Sequence, residues 1–206
     1  MPGLRERKKR QTREAISRAA AELFSARGFD AVTVDDVAQA ADVSRQTVFN
    51  YFPSKEQMVF DRDAEIEAAL LAAVRHRPAG VSPVSAFREH TRAFWMRLDA
   101  VVRQGALPPG FWEIVESSPA LRDYAEVLFA RHARGIARQL AAEEGLPEDD
   151  PVCDAQARAL CGANAAVLTC GLHRLARGDE PTSVVADMLA RAEGAYDLLE
   201  HGTRQA

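Results

Sequence analysis

Residues 33–55 read TVDDVAQAADVSRQTVFNYFPSK, and their pattern predicts two short helices joined by a tight turn. Thr33 and Ser44 are N-cap residue types, and each precedes apolar residues at helical spacing. Asp42 between them tolerates the left-handed backbone of a helix end, although glycine is commoner there. Such a helix-turn-helix can place its second helix in the major groove of DNA. From this pattern alone, a small helical hairpin with a polar outer face remains the alternative.

The second helix of the pair has two distinct faces. Val48 and Phe52 lie one turn apart and are expected to be buried, and Pro53 ends the helix. The outward positions carry side chains suited to contacts with bases and phosphates: Arg45, Gln46, Phe49 and Asn50.

A third helix is predicted to begin at the capping box Ser54-x-x-Gln57 and to run to about residue 75. Lys55 stands in its first turn, where the helix dipole disfavours a cation. An anion supplied from outside, such as a DNA phosphate, would explain this lysine.

Length and composition favour an all-helical fold. The chain has 206 residues, enough to bury a core without disulfides or metals. Helix formers recur throughout, and no segment alternates apolar and polar residues as a half-buried strand would.

Charge is unevenly distributed along the chain. The formal net charge is −4, but residues 1–18 carry seven Lys or Arg against two Glu, a local balance of +5, and the remainder carries −9. An anionic partner near the N-terminus is therefore expected. Arg7, Lys8, Lys9 and Arg10 are predicted to form an arm that contacts DNA phosphates or the minor groove. A solvated tail is the alternative.

Other classes of protein find little support. No apolar run follows the basic residues as in a signal peptide, and no segment matches a membrane span. The three cysteines, 153, 161 and 170, fit a reducing compartment. A cytoplasmic protein without membrane contact is expected. No His, Cys or carboxylate spacing indicates a metal, cofactor or catalytic site, so an enzyme is not expected.

Helical periodicity and helix stops predict further elements and two modules. The first helix is expected over about 9–26, and residues 1–53 form the N-terminal module. Residues 54–206 form the second module, with the helix over about 54–75 as connector. Its remaining helices are predicted to begin near residue 82 and to cover about 111–116, 119–144, 152–176 and 182–201.

The second module is rich in aromatic residues within three consecutive helices. These side chains either form core or line an apolar pocket for a small molecule, oriented by a few polar groups. The predicted pocket residues are His90, Phe94, Trp95, Leu98, Phe111, Trp112, Tyr124, Phe129 and His132.

The last two predicted helices, about 152–176 and 182–201, are candidates for a dimer interface. Small residues in the first would allow close approach of another helix, and two such pairs could pack across a two-fold axis. Intrachain core is the alternative. Dimerisation would also serve DNA recognition, because one recognition helix reads few base pairs.

Residues 33–56 resemble the DNA-binding signature of the TetR family of bacterial repressors. The resemblance rests on the run TVDDVAQAADVS, the cluster Phe49-Asn50-Tyr51-Phe52 and the closing PSKE. It implies a nine-helix, two-domain, all-α fold that binds a palindromic operator as a homodimer and releases it when an effector enters the second domain. Phe49 departs from the tyrosine common in the family, and Asp42 from the turn glycine.

The resemblance also implies roles for individual residues. Lys55 and Thr33 fall on phosphate-contacting positions, and Ser44 precedes the recognition helix. The predicted contacts in that helix are Arg45, Gln46, Thr47, Phe49, Asn50 and Tyr51. The expected function is a ligand-responsive repressor of transcription, with an apolar effector that is acyl-like or acyl-CoA-like. A helical small-molecule-binding protein or an enzyme, without a DNA role, is the alternative.

Overall fold

The computed structural model describes residues 3–103 and 111–202, apart from the side chains of Leu4, Val102, Phe111 and Trp112. The described chain is all-α, as predicted, and contains no strand. Its ten helices are α1 (Leu4–Arg27), α2 (Val34–Ala40), α3 (Arg45–Tyr51), α4 (Glu56–Val59), α5 (Asp63–Arg75), α6 (Pro83–Arg103), α7 (Phe111–Ser117), α8 (Pro119–Glu144), α9 (Pro151–Ala176) and α10 (Pro181–His201). Within the described ranges, no helix combines the length and apolarity needed to cross a membrane.

The predicted connector helix over 54–75 is two helices, α4 and α5, which explains ten helices instead of nine. The chain leaves the helical conformation at Phe60, whose backbone angles are φ −97° and ψ 40°. Asp61 is held by α1, because Ser17 donates a hydrogen bond to its carboxylate and Arg13 donates one to its carbonyl oxygen. The residues in contact lie far apart in the sequence, so the local pattern of apolar residues and helix caps did not reveal the break.

The predicted N-terminal arm is the first part of α1. Arg7, Lys8, Lys9 and Arg10 lie within a helix that begins at Leu4, five residues before the expected start. After Gly3 the sequence contains strong helix formers, and the acid Glu6 stands in the first turn, where the dipole favours it. Gly28 ends the helix with φ 79°, as predicted.

The chain divides into two compact units. The first contains residues 1–63 and 110–124, and the second contains 64–109 and 125–206. The first unit is larger than the predicted module of residues 1–53, because α4, α7 and the first residues of α8 belong to it. Val115 and Leu121, which lie in the stretch 110–124, are buried in the core of the first unit.

The first unit is built around α1, which packs on α2, α4 and α7. Phe24 and Phe29 are both buried, with ring centroids 5.1 Å apart. Val48 and Phe52 of the α3 segment are also fully buried, as predicted, and fix this helix to the unit. The same hydrophobic cluster includes Ile16, Ala20, Val32, Val37, Ala38 and Met58.

The second unit packs α10 against α6 and α9 around an apolar core. A buried polar group joins the three helices: the Thr91 hydroxyl lies 2.8 Å from Asn164 Oδ1 and 2.6 Å from the Tyr196 hydroxyl. Burial raises the pKa of Tyr196 to about 12. Arg88 of α6 bonds three acidic residues of α10: Glu193, Asp197 and Glu200.

Candidate nucleic-acid interface

The helix α2 is capped as its sequence predicts. The Thr33 hydroxyl accepts a hydrogen bond from Asp36 N at 3.1 Å, and Asp36 Oδ2 accepts one from Thr33 N at 2.7 Å. The Thr33 hydroxyl also donates to Asp36 Oδ2 at 2.6 Å, and this bond together with the one from Thr33 N lowers the pKa of Asp36 from its ordinary value of 3.8 to about 2. Arg27 adds an ion pair to the Asp36 carboxylate at 3.2 Å. The start of α2 is therefore fixed by its own side chains.

The turn between α2 and α3 depends on Asp42, which adopts the left-handed conformation with φ 53°. A carboxylate residue is among the few non-glycine types that visit this region routinely. Ser44 then caps α3, accepting a hydrogen bond from Thr47 N at 3.0 Å. Both predictions are confirmed, so the helix-turn-helix geometry follows from its local sequence.

The predicted contact residues of α3 differ in their exposure to solvent. Arg45, Gln46 and Asn50 are exposed, whereas Thr47, Phe49 and Tyr51 are half-buried. Two pairs already interact along the helix. The Gln46 side-chain amide donates to Asn50 Oδ1 at 3.2 Å, and the Ser44 and Thr47 hydroxyl oxygens are 2.8 Å apart.

The N-terminus of α1 lies beside this face. An open cleft of about 840 Å³ is lined by Arg5, Glu6, Lys8, Lys9 and Thr12 of α1 and by Thr47, Asn50 and Tyr51 of α3. Arg10 forms an exposed ion pair with Glu14 at 3.5 Å. Within the described chain, no ion pair engages Arg7, Lys8 or Lys9. The basic end of α1 and the recognition helix therefore present one surface suited to a polyanion.

Lys55 has a different position from the one expected. Its ammonium donates hydrogen bonds to the carbonyl oxygens of Phe29 and Val32 at 2.9 and 3.0 Å, and it lies 4.0 Å from the centre of the Phe29 ring. Two of its three donors are thus used inside the first unit. The cation stabilises the loop before α2. These contacts explain the presence of a lysine at this position without an external phosphate.

The predicted capping box at Ser54 is wrong. Lys55 occupies the N-cap of α4 with helical angles, φ −66° and ψ −35°, and no side chain caps the helix. Ser54 lies one position outside the cap, and among the described residues its buried hydroxyl has no hydrogen-bond partner.

Arg13 was not singled out from the sequence. It donates to Tyr51 O at 3.0 Å and to Asp61 O at 3.1 Å, and its guanidinium lies 4.3 Å from the centre of the Phe52 ring. Its position in the sequence could have indicated this role. Arg13 precedes the buried Ile16 by one helical turn, so the two residues lie on the same side of α1. A basic residue on that side of α1 indicates a cation held by the unit itself.

The predicted effector residues have several different environments. Trp95 is fully buried, and its ring meets Phe94 edge-on at 5.4 Å. The ring lies over Gly171, where a Cβ atom would be only 2.1 Å from Trp95 Cη2. Trp95 is therefore a core residue. Of the two interpretations of the aromatic residues, core and pocket wall, its burial agrees with core. Leu98 packs against the same core.

The remaining predicted effector residues are spread over three helices. Burial lowers the pKa of both His90, which is half-buried on α6, and His132, which is buried on α8. Tyr124 belongs to the first unit and packs on Phe60 with ring centroids 5.7 Å apart. Phe111 and Trp112 lie in α7, but their side chains are outside the described part of the structure.

Phe129 lines an open groove of about 670 Å³ between α8 and α9. Cys161, Thr169, Cys170 and His173 line the α9 side of this groove. Burial raises the pKa of the Cys161 thiol to about 11, so it stays protonated at neutral pH.

Asp197, Glu200 and His201 bring potential metal-ligand atoms together near the end of α10. Both carboxylates accept hydrogen bonds from Arg88, at 2.8 and 2.6 Å. The cluster is accounted for as part of the ion-pair network between α6 and α10.

The sequence matches known regulators in the region of this interface. A family model described as bacterial regulatory proteins, tetR family, matches residues 16–61. Over 155 residues the chain is 39% identical to the HTH-type transcriptional regulator TcmR of Streptomyces glaucescens, covering 72% of this chain and 67% of that protein. It is 29% identical over 184 residues to the regulator EthR of Mycolicibacterium smegmatis, covering 84% and 81%.

The fold matches a solved repressor over nearly its full length. The crystal structure of Thermus thermophilus FadR, a TetR family transcriptional repressor in complex with lauroyl-CoA, has a TM-score of 0.53 and 31% sequence identity, covering 94% of this chain and 97% of that one. Both the helix-turn-helix and the relationship to TcmR over most of the chain lead to one assignment. The protein belongs to the TetR family of bacterial transcriptional regulators.

Proposed function

We propose that the protein is a ligand-responsive repressor that binds a palindromic operator as a homodimer. The observation that supports DNA binding best is the open cleft between α1 and α3, where exposed lysines and arginines of α1 lie beside the polar face of α3. Basic residues would neutralise phosphates and fix the position of the protein on the duplex. The exposed side chains of α3 would then read base edges in the major groove.

A gel-shift assay tests DNA binding directly. Duplexes that span the DNA flanking the protein's own gene are compared with random duplexes of equal length and base composition, at two stated salt concentrations. A shift confined to one flanking segment, and lost in part at higher salt, is expected. Equal binding to every duplex, or none, would favour a helical small-molecule-binding protein without a DNA role. In a transcription assay, the protein should reduce transcript from the promoter that it binds.

An arginine pair sharpens this assay. Arg45→Ala is expected to weaken operator binding by about 10-fold or more and to relax the preference at one base, because arginine bonds a guanine edge with two donors. Arg92→Ala removes the same charge from an exposed position on α6 and should leave binding unchanged. Equal losses on operator and random DNA for Arg45→Ala would contradict a base-reading role.

The exposed faces of α9 and α10 support the proposed homodimer. On α9 exposed apolar or small residues recur at helical spacing: Val152, Ala155, Ala159, Gly162, Ala166 and Cys170. Arg158 is an exposed charged neighbour of this set. On α10 a similar set is exposed: Ala186, Ala190, Gly194 and Leu198. Val152 and Leu198 are 72% and 48% exposed, which is unfavourable for large aliphatic side chains. A second copy of the chain, presenting the same two faces, would cover the exposed residues of both helices.

We further propose an acyl or acyl-CoA-like effector. The supporting observation is the likeness to T. thermophilus FadR, whose structure holds lauroyl-CoA. Half-buried members of the predicted set lie in the second unit, where Phe94, Leu98 and Phe129 offer apolar surface and His90 offers a polar group. Lauroyl-CoA is expected to abolish the gel shift, whereas coenzyme A alone should leave it intact. Loss of the shift with coenzyme A alone would argue against recognition of the acyl chain.

A further inference from the structure

The first turn of α2 carries two adjacent aspartates with different surroundings. Asp36 is engaged by the Thr33 cap and by Arg27. Asp35 points instead to the recognition helix, where Arg45 Nη1 donates a hydrogen bond to Asp35 Oδ2 at 2.8 Å. The pair joins the two helices of the helix-turn-helix on the face that presents the contact residues.

Arg45 is held on a second side as well. Its guanidinium carbon lies 5.5 Å from the centre of the Phe49 ring, one turn further along α3. Arg45 is also the first residue of α3, where the helix dipole disfavours a cation. The Asp35 carboxylate offsets that cost, so a charged pair and a ring face together restrict the arginine.

Asp35 binds one donor of the Arg45 guanidinium, Nη1, and leaves the other donors available. Arginine reads guanine through two parallel donors, and the Nε and Nη2 edge can supply them while Nη1 remains on the carboxylate. Within the described chain, Asp35 is the hydrogen-bond partner of Arg45. Both side chains are exposed, at 60% for Arg45 and 63% for Asp35, so a base edge can reach them.

We propose that Asp35 is a specificity-determining positioning residue that holds Arg45 for base reading and withholds it from phosphates. This inference rests on the proposed DNA-binding function. An unrestrained arginine can neutralise any phosphate, which adds affinity without sequence information. The fixed arginine and the adjacent negative charge both disfavour such contacts. Asp35 therefore lowers binding to random DNA more than binding to the operator.

The test begins with an operator obtained by selecting duplexes that bind the wild-type protein from a randomised pool. Dissociation constants for the selected and the random duplex then give a specificity ratio for each variant. Asp35→Ala is expected to tighten binding to random DNA and to reduce the ratio by about 5-fold, near the upper range for one exposed ion pair. Asp35→Asn, which keeps the shape but not the charge, should give a smaller reduction.

Two controls separate positioning from general charge. Glu22→Ala removes the same charge from an exposed position on α1, and it should change both dissociation constants alike and leave the ratio unaltered. In an Arg45→Ala background, Asp35→Ala should leave the ratio unaltered, because its effect passes through the arginine. Thermal unfolding of each variant confirms an intact fold.

The outcomes distinguish the two proposals. A wild-type protein that binds selected and random DNA equally would overturn the proposed function together with this inference. A specific wild-type protein whose ratio is unchanged in Asp35→Ala would overturn the role of Asp35 alone. The same would follow if Asp35→Ala lowered the ratio equally with and without Arg45.

Discussion

Lys55 directs its ammonium into the first unit, onto the carbonyl oxygens of Phe29 and Val32. We expect Lys55→Met to lower the free energy of unfolding by about 2 kcal/mol, because hydrogen bonds to a charged group are lost. The salt dependence of DNA binding should stay the same. Urea denaturation and DNA titrations at several salt concentrations measure the two quantities.

Lys9, which lines the open cleft between α1 and α3, supplies the matched control. Lys9→Met should leave stability unchanged and reduce the magnitude of the salt slope by roughly one unit, as expected for one lost phosphate contact. If Lys55→Met showed that pattern instead, the ammonium would contact phosphate as the family resemblance implies.

Gly171 is required by the ring that covers it. A Cβ at this position would lie 2.1 Å from Trp95 Cη2 and 2.7 Å from Met188 Cγ. We expect Gly171→Ala to destabilise the protein by about 2 kcal/mol, a typical cost of overpacking, as measured by thermal or urea unfolding.

Gly135 is the appropriate control for this substitution. It is also buried in a helix, but a Cβ there would make ordinary contacts at 3.6 Å. Gly135→Ala should be neutral or stabilise by up to about 1 kcal/mol, through helix propensity. A Gly171→Ala, Trp95→Phe double variant should recover part of the stability lost in Gly171→Ala, because the phenylalanine ring is smaller. Equal effects at both glycines would show that Trp95 does not restrict residue 171.

At the scale of elements, the capping box of α2 makes stability depend on acid pH. Hydrogen bonds from Thr33 lower the pKa of Asp36 to about 2, so the folded state favours the ionised carboxylate. This contribution is complete above the ordinary pKa of 3.8 and is lost as pH falls towards 2. The melting temperature of the wild type should therefore exceed that of Asp36→Asn at neutral pH, and the difference should shrink through this acid range.

Substitutions of Thr33 provide the comparison. Thr33→Ala should cost about 1 kcal/mol at neutral pH, whereas Thr33→Ser keeps a capping hydroxyl and should cost little. A difference between the wild type and Asp36→Asn that stayed constant from pH 7 to pH 2 would contradict the ionic contribution of the cap.

Most helices were predictable because their signals are local. The caps at Thr33 and Ser44, the turn at Asp42 and the stop at Gly28 act within a few residues, and the structure contains all four. The break between α4 and α5 was not predictable in this way. It depends on bonds from α1 to Asp61, which is 44 residues from Ser17 and 48 from Arg13.

The candidate site shows the same division. Helical periodicity predicted Val48 and Phe52 as the buried side of α3, and of the contact residues predicted around them the structure exposes Arg45, Gln46 and Asn50. The partners of Lys55 and Arg45 depend on how neighbouring elements pack, so their roles needed the folded structure. The aromatic residues of the second unit were ambiguous for a related reason, because hydrophobicity alone does not separate core such as Trp95 from a pocket wall.

At the scale of the whole molecule, the proposed dimer makes a prediction about mass. Ala159 is exposed in the middle of the small-residue face of α9. We expect Ala159→Arg to convert the dimer to a monomer, because a long charged side chain prevents close helix approach. Operator affinity should fall with it, since two half-sites can no longer be bound together. Sedimentation equilibrium measures the mass.

An exposed alanine of α8 serves as control. Ala142→Arg adds the same side chain to a helix that is not part of the proposed interface, and it should leave the mass unchanged. If Ala159→Arg remained a dimer with full operator affinity, the interface would have to lie elsewhere on the chain.

The contacts of Arg13 have a consequence for the kinetics of the first unit. One guanidinium holds both the last carbonyl of α3, at Tyr51, and the carbonyl of Asp61 in the turn before α5. Because both carbonyl oxygens help to fix one side chain, opening of either segment is expected to weaken the contact of Arg13 with the other. Amide hydrogens at the end of α3 and in residues 60–62 are therefore expected to exchange with solvent in a single opening event. The recognition helix and the segment leading out of the unit would then form one cooperative folding unit.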